Sequence, residues 1–222
     1  MTARSADPAR ESIPLFLVRH FAQLVLRLYF RLSLVGLHRI PTEGPVLIAG
    51  NHSGFLDGPL VMIMLSRPSS FLVKSELYET PFKRVLAFAR QIPIVRGTPD
   101  RTHLREGLSV LRGHGVLGVF PEGTRGDGNL ATIQHGIGYI ALQAGCPIVP
   151  VVCAGTEAAL PKGKAVPKFR APVEIVFGEP FTLDFDGDPR ERATIAAAAE
   201  QIRQHLLGHL AAVSASVGPA GA

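Results

Sequence analysis

Two short segments carry side chains able to move a proton and hold an anion. In "NHSGFLDG", Asn51 to Gly58, a histidine and an aspartate stand five positions apart between the apolar runs "PVLIAG" and "PLVMIML". Imidazole exchanges protons near neutral pH. A carboxylate that accepts from its Nδ1 leaves Nε2 free to take a proton from a hydroxyl. In "VFPEGTRGDG", residues 119 to 128, Glu122 and Arg125 bring opposite charges to a loop shaped by proline and glycine. The planar fork of arginine matches phosphate, and Glu122 either steadies that arginine or accepts from a substrate hydroxyl. "QIPIVRG", residues 91 to 97, ends in Arg96 and Gly97, and Lys74 closes the run "SFLV". Taken singly, a His–Asp pair closes a turn and a Glu–Arg loop is a solvated surface. Their joint placement has to decide.

That placement follows from the alternation of short β-type runs with helical stretches. Strands are expected at Val46–Ala49, Ser70–Val73, Ile92–Val95, Val116–Phe120, Ile148–Cys153 and Val173–Phe177, with helices near 58–66, 80–90, 99–112 and 131–144. Thr80-Pro81 and Thr98-Pro99 read as N-cap and first helical residue, while Gly113 and Gly145 read as helix stops. A last helix is expected over Arg190 to Val213. The pattern predicts an α/β fold with a mostly parallel central sheet flanked by helices. His52, Lys74, Arg96 and the Glu122–Arg125 loop then all fall at strand carboxyl ends, where the active sites of open α/β sheets gather.

Upstream lies a predicted helix from about Ile13 to Leu37. Arg19, Gln23, Arg27 and Arg31 recur every four residues and form one polar stripe on an otherwise apolar helix. Such a helix is expected to lie in the plane of an anionic membrane surface, its arginines towards lipid phosphates. The alternative is a helix packed on the domain with its arginines in water. "RIPTEGP", residues 39 to 45, is a turn-rich linker. The expected organisation is an amphipathic membrane-associating segment over 1–38, an α/β domain over 39–213 and a flexible tail, "SASVGPAGA", over 214–222.

The 222 residues suit one domain, and 23 Lys and Arg against 18 Asp and Glu give a net charge of +5. Phosphate-bearing substrates or an anionic membrane fit that balance. Nucleic acid does not: there are 3 Tyr, no Trp and no basic stripe interleaved with aromatics. Cys146 and Cys153 are an odd seven positions apart, which predicts opposite faces of a strand, no disulfide and a reducing, cytosolic setting. No signal peptide is expected. The stretch between Asp127 and Glu157 lacks charges but carries Gln134, His135, Gln143, Gly145, Pro147 and Pro150, so a helix and a buried strand are expected there, not a membrane span. The sequence contains no nucleophile-elbow motif and no His-Glu-x-x-His spacing.

The ordered set "NHSGFLD", "QIPIVRG", "VFPEGTR" and "CPIVPVVCAG" resembles the four blocks of the glycerolipid acyltransferase family, whose best-known members are the bacterial 1-acylglycerol-3-phosphate acyltransferases. "KSEL" at 74–77 is similar as well, and the resemblance covers about residues 35 to 185. It implies that His52 is the general base on the acceptor hydroxyl and Asp57 its orienting partner. It further implies that Glu122, Gly123, Thr124 and Arg125 line the acceptor site, with Arg96 and Lys74 binding its phosphate. The implied donor is acyl-CoA or acyl-carrier protein, with no metal and no bound cofactor. The implied acceptor is a lysophospholipid, foremost lysophosphatidate, met at the cytoplasmic face of the cell membrane. Two positions depart from the family pattern: Gly54 stands where serine is common, and Gln134 in "IQHG" stands where many relatives carry a lysine. The second removes one phosphate contact. Glycerol 3-phosphate or another lysolipid remains an alternative acceptor. Hydrolysis of the thioester, or lipid binding without turnover, remains an alternative activity.

Overall fold

The computed structural model describes residues 12–95, 102–123 and 127–216. In chain order the elements are α1 (Ile13–Tyr29), β1 (Arg31–Val35), β2 (Val46–Gly50), α2 (Asp57–Met64), β3 (Ser69–Lys74), α3 (Lys83–Phe88), β4 (Ile92–Ile94), α4 (Thr102–Arg112), β5 (Val116–Val119), α5 (Gly136–Ala144), β6 (Ile148–Ala154), α6 (Thr156–Ala159), β7 (Pro172–Phe177) and α7 (Arg192–Ser216). The seven strands form one sheet in the order β1-β7-β6-β2-β5-β3-β4, and every pairing is parallel except β6 with β7. The α/β architecture expected from the sequence is the one observed.

Both faces of the sheet are covered, because β2 alternates its side chains between two cores. Val46 and Ile48 join Phe30, Leu60, Met64, Phe71 and Phe177 on the face covered by α2. Leu47 and Ala49 join Leu108, Leu111, Ile137, Ile140 and Ile202 on the face covered by α4, α5 and α7. Burial on two faces makes β2 a continuous apolar run with no polar position, and the strand order puts it at the middle of the sheet.

Several boundaries differ from the expectations. The first helix ends at Tyr29, and residues 31–35 form an edge strand paired in parallel with β7. The four-residue spacing from Arg27 to Arg31 therefore spans a helix end and is not part of one stripe. Within α1, Arg19 and Gln23 also face the other way, while Arg27 is exposed. Arg19 Nη1 donates to the Leu65 carbonyl at 2.7 Å, and Gln23 Nε2 donates to the Ile63 carbonyl at 2.7 Å. These oxygens lie at the end of α2, where carbonyls lack helical partners and a cation is favoured. The outward face is apolar: Leu17, Phe21, Leu24 and Leu28 are all exposed, Phe21 by 69%. No helix among the described residues is long and apolar enough to cross a membrane.

The third helix is preceded by a 3-10 turn over Ser75–Glu79, and Thr80 closes that turn instead of capping a helix from residue 80. Thr98 and Pro99 lie outside the described residues. Gly145 ends α5 in the left-handed conformation as expected, whereas after α4 the left-handed residue is His114, not Gly113. The fifth helix starts at Gly136, because Gln134 N donates to the Pro121 carbonyl at 2.7 Å and holds residues 131–135 as a loop. The last helix runs to Ser216, beyond the expected end at Val213. Cys146 and Cys153 are both free and buried.

The closest approach of α5 to α7 runs over Gly138. A Cβ there would stand 2.4 Å from the Ile195 carbonyl oxygen and 2.9 Å from Ala199 N, both backbone atoms that cannot swing aside. Gly138→Ala should lower the unfolding free energy by about 1–3 kcal/mol, read from a urea titration. An unchanged midpoint would mean that α7 is not seated on α5 in this way.

Candidate active site

The site begins where β2 stops. Asn51 carries the pairing of β2 with β6 one step further through its side chain. Its Nδ2 donates to the Cys153 carbonyl at 3.2 Å, and Cys153 N donates to Oδ1 at 2.9 Å. With the backbone clipped there, His52 leaves the sheet in a fixed direction. His52 N in turn donates to Glu122 Oε1 at 2.8 Å. Glu122 thus ties the loop after β5 to the loop after β2. Burial is the main influence on its carboxyl and pushes the pKa up, against the His52 amide, which favours the charged form.

The His52 ring is held from two sides. Nδ1 lies 3.0 Å from Asp57 Oδ2, and the ring stacks on Phe120 with centroids 4.5 Å apart and an interplanar angle of 18°. Phe120 and Gly118 point to the same face of the β5 run. Phe71 lies so close over Gly118 that a Cβ there would meet its ring at 2.1 Å. Phe71 and Phe120 are in turn tilted neighbours at 5.8 Å. The absent side chain at Gly118 thus leaves room for the aromatic floor on which the imidazole rests.

Asp57 is fully buried, and an ionised carboxylate there must collect donors. Oδ2 accepts from Gly54 N at 2.8 Å as well as facing His52 Nδ1, and Oδ1 accepts from Thr156 Oγ1 at 2.5 Å. Asp57 is also the first residue of α2, where the helix dipole favours negative charge. With Nδ1 donating to this carboxylate, Nε2 is the ring nitrogen left to act on a substrate. Gly54 has a steric reason. A Cβ at this position would stand 2.7 Å from Thr156 Oγ1 and 3.0 Å from Glu157 N, so serine here would displace the hydroxyl that serves Asp57. Cys153 is no competing nucleophile, since burial and the charge of Asp57 raise its thiol well above the ordinary range.

Beside this pair opens a cavity of about 400 Å³. Leu72, Ile94, Leu104, Val119, Ile137 and Ile140 give it an apolar lining, while Glu122, Gly123, Gln134 and His103 supply polar groups. Gly123 takes a φ of +72° and packs its Cα side against Gln134, whose Cγ would be 3.1 Å from a Cβ. Gln134 therefore does reach the site, as a neutral amide.

The structure brings His52, Asp57, Glu122 and Gly123 together. Lys74 ends β3 at the same sheet edge, but it is exposed and its Nζ pairs with Glu76 Oε1 at 2.8 Å. Arg96, Thr124 and Arg125 lie outside the described residues. Among the described residues no group of three or more His, Cys, Asp or Glu could hold a metal ion. Sequence reasoning missed Asn51, Phe120 and Thr156. The available signal was their position, Asn51 and Phe120 within the blocks "NHSGFLD" and "VFPEGTR" and Thr156 directly following "CPIVPVVCAG", but only the adjacency of β6 to β2 brings residue 156 to residue 57.

Thr156 acts through Asp57 and is a positioning residue. Thr156→Val should lower kcat about tenfold or more with little change in KM, because one oxygen of a buried carboxylate loses its donor. Thr156→Ser should restore most of kcat. Equal kcat for native and Val chains would remove Thr156 from the site's architecture.

The family model described as Acyltransferase matches residues 31–154, more than half of the chain. A chloroplastic 1-acyl-sn-glycerol-3-phosphate acyltransferase of Arabidopsis thaliana is 25% identical over 162 residues, covering 71% of this chain and 45% of its own length. The 1-acyl-sn-glycerol-3-phosphate acyltransferase of Bacillus subtilis (strain 168) is 24% identical over 189 residues, covering 83% of this chain and 90% of its own. The chain spans about half the length of the plant and algal relatives it matches. The crystal structure of a 1-acyl-sn-glycerophosphate acyltransferase from Thermotoga maritima shares the fold, with a TM-score of 0.59, 23% identity and coverage of 86% of this chain and 79% of that one. The family match starts at β1, takes in the His52–Asp57 turn and the Glu122 loop, and ends with β6: the chain belongs to the acyltransferase family.

Proposed function

We propose that the protein transfers a fatty-acyl group from an acyl thioester, acyl-CoA or acyl-carrier protein, to the free hydroxyl of 1-acylglycerol 3-phosphate, forming phosphatidate for phospholipid synthesis. The observation that carries this reading is the His52–Asp57 pair, with the carboxylate locked by Gly54 and Thr156 and Nε2 left to act. His52 Nε2 takes the acceptor proton as the oxygen bonds to the thioester carbonyl carbon. The tetrahedral oxyanion collapses, the carbon–sulfur bond breaks, and the imidazolium returns its proton to the departing thiolate. No covalent enzyme intermediate is needed. The apolar cavity beside Glu122 suits an acyl chain, with its polar groups near the reacting carbonyl.

In this proposal Arg96 and Arg125, with Lys74 at the same edge, hold the acceptor phosphate. Gln134, in place of a cation, makes this anchoring depend more on the two arginines. The names of the relatives favour lysophosphatidate over glycerol 3-phosphate as acceptor. Acyl transfer should depend on both the acceptor and His52. Labelled acyl-CoA supplied with lysophosphatidate should yield diacyl product, and His52→Ala should lower turnover by about 10²- to 10⁴-fold. Free fatty acid as the sole product would identify a thioester hydrolase. Native turnover in the variant would end the assignment of the base.

The same proposal seats the protein on one leaflet, peripheral or monotopic, at the cytoplasmic face of the cell membrane. The support is the apolar outward face of α1, with Phe21, Leu24 and Leu28 exposed and Arg19 and Gln23 turned inward to α2. The buried free thiols suit a reducing compartment. Phe21→Ser with Leu24→Ser leaves β1 intact and should weaken sedimentation with phospholipid vesicles about tenfold or more. Undiminished binding would exclude α1 as the docking element.

A further inference from the structure

The loop between α6 and β7, "PKGKAVPKFR" at residues 161–170, takes no part in the site described above. Lys162, Lys164, Lys168 and Arg170 are all exposed, and among them Val166 and Phe169 are exposed by 72% and 69%. Cations interleaved with outward apolar side chains are what an anionic lipid interface favours, since headgroups meet the charges and the acyl boundary meets the rings.

The loop is fastened to α1. Tyr29 Oη donates to the Pro167 carbonyl at 2.6 Å, and Arg170 N donates to the Tyr29 carbonyl at 2.7 Å. The rings of Tyr29 and Phe169 meet edge to face at 5.4 Å. Lys168 N donates to the Ala159 carbonyl at 2.8 Å, which secures the other side. Tyr29 ends α1 one turn after Val25, a member of the exposed apolar face. Phe169 therefore prolongs that face across the helix end. The sheet fixes which edge this is. β7 runs against β6, and β1 runs with β7, so both begin where β2, β5 and β6 finish. The end of α1, the loop and His52 share one edge of the sheet.

We infer that residues 161–170 form a second membrane contact, in which Lys162, Lys164, Lys168 and Arg170 engage anionic phospholipid headgroups and Phe169 and Val166 enter the interface beside α1. The inference rests on the membrane reading of α1 and adds four clustered cations to a helix that, with Arg19 turned to the protein, exposes Arg27 alone of its arginines. It also directs the lipid surface to the catalytic edge.

The test is sedimentation with vesicles of phosphatidylcholine alone and with about one third phosphatidylglycerol, for folded chains checked by thermal unfolding. Lys162→Gln with Lys164→Gln and Lys168→Gln should lower affinity for the anionic vesicles about tenfold or more and leave binding to neutral vesicles unchanged. Phe169→Ser should weaken binding to both. Native affinity of the triple variant for anionic vesicles overturns the inference, even if the Phe21→Ser, Leu24→Ser chain loses binding. Loss in the triple variant while that α1 variant binds normally supports the loop contact and removes the reading of α1. If the triple variant keeps its vesicle affinity and instead shows a raised KM for an acyl-carrier protein donor, the loop is a docking site for that acidic carrier and the membrane inference is overturned.

Discussion

A carboxylate with no access to water dictates how this site is built. Asp57 is buried to the last atom, and an ionised group in that position is tolerable only if each oxygen is hydrogen-bonded. One donor comes from the turn before it, one from the imidazole it serves, and one from Thr156 beyond the neighbouring strand. Gly54 follows from this demand, because only a residue without Cβ lets the Thr156 hydroxyl come near. The fold answers the same demand on a larger scale. Parallel pairing of β2 with β6, extended by the Asn51 clip, sets the two loops side by side.

The imidazole itself is restrained by shape as much as by charge. Its ring sits on Phe120, Phe120 neighbours Phe71, and Phe71 occupies space that any side chain at residue 118 would take. Glu122 fixes the His52 backbone from the other side. Ring plane and backbone are held from the loop after β5 and Nδ1 from the start of α2, which leaves little rotamer freedom to lose when substrate arrives.

Most of the strands, and the grouping of His52, Asp57, Glu122 and Gly123, were legible in the sequence because each sits at the end of a short apolar run. Thr156 was not, since strand order rather than sequence distance makes it a neighbour of Asp57. β1 was hidden for a different reason. "RLSLV" does alternate with a period of two, but the four-residue cadence of Arg19, Gln23, Arg27 and Arg31 runs across the break at Phe30 and mimics one helix. The orientation of α1 was equally beyond periodicity. A polar stripe says that two faces differ, not which faces inward. Here the uncapped carbonyls of α2 claimed Arg19 and Gln23. The place of Gln134 beside Gly123 depends on the loop that delays α5, which sequence spacing does not show.

The reversal of β7 and β1 has a kinetic meaning. By returning the chain twice to the edge where β2 ends, it brings the end of α1 and the start of two strands to the edge that also carries His52. On a lipid leaflet, an acceptor approaching that edge would diffuse laterally and never cross bulk water. Turnover would then track the mole fraction of acceptor in the bilayer, not its molar concentration, and diluting the leaflet with inert lipid would slow the reaction at constant total substrate.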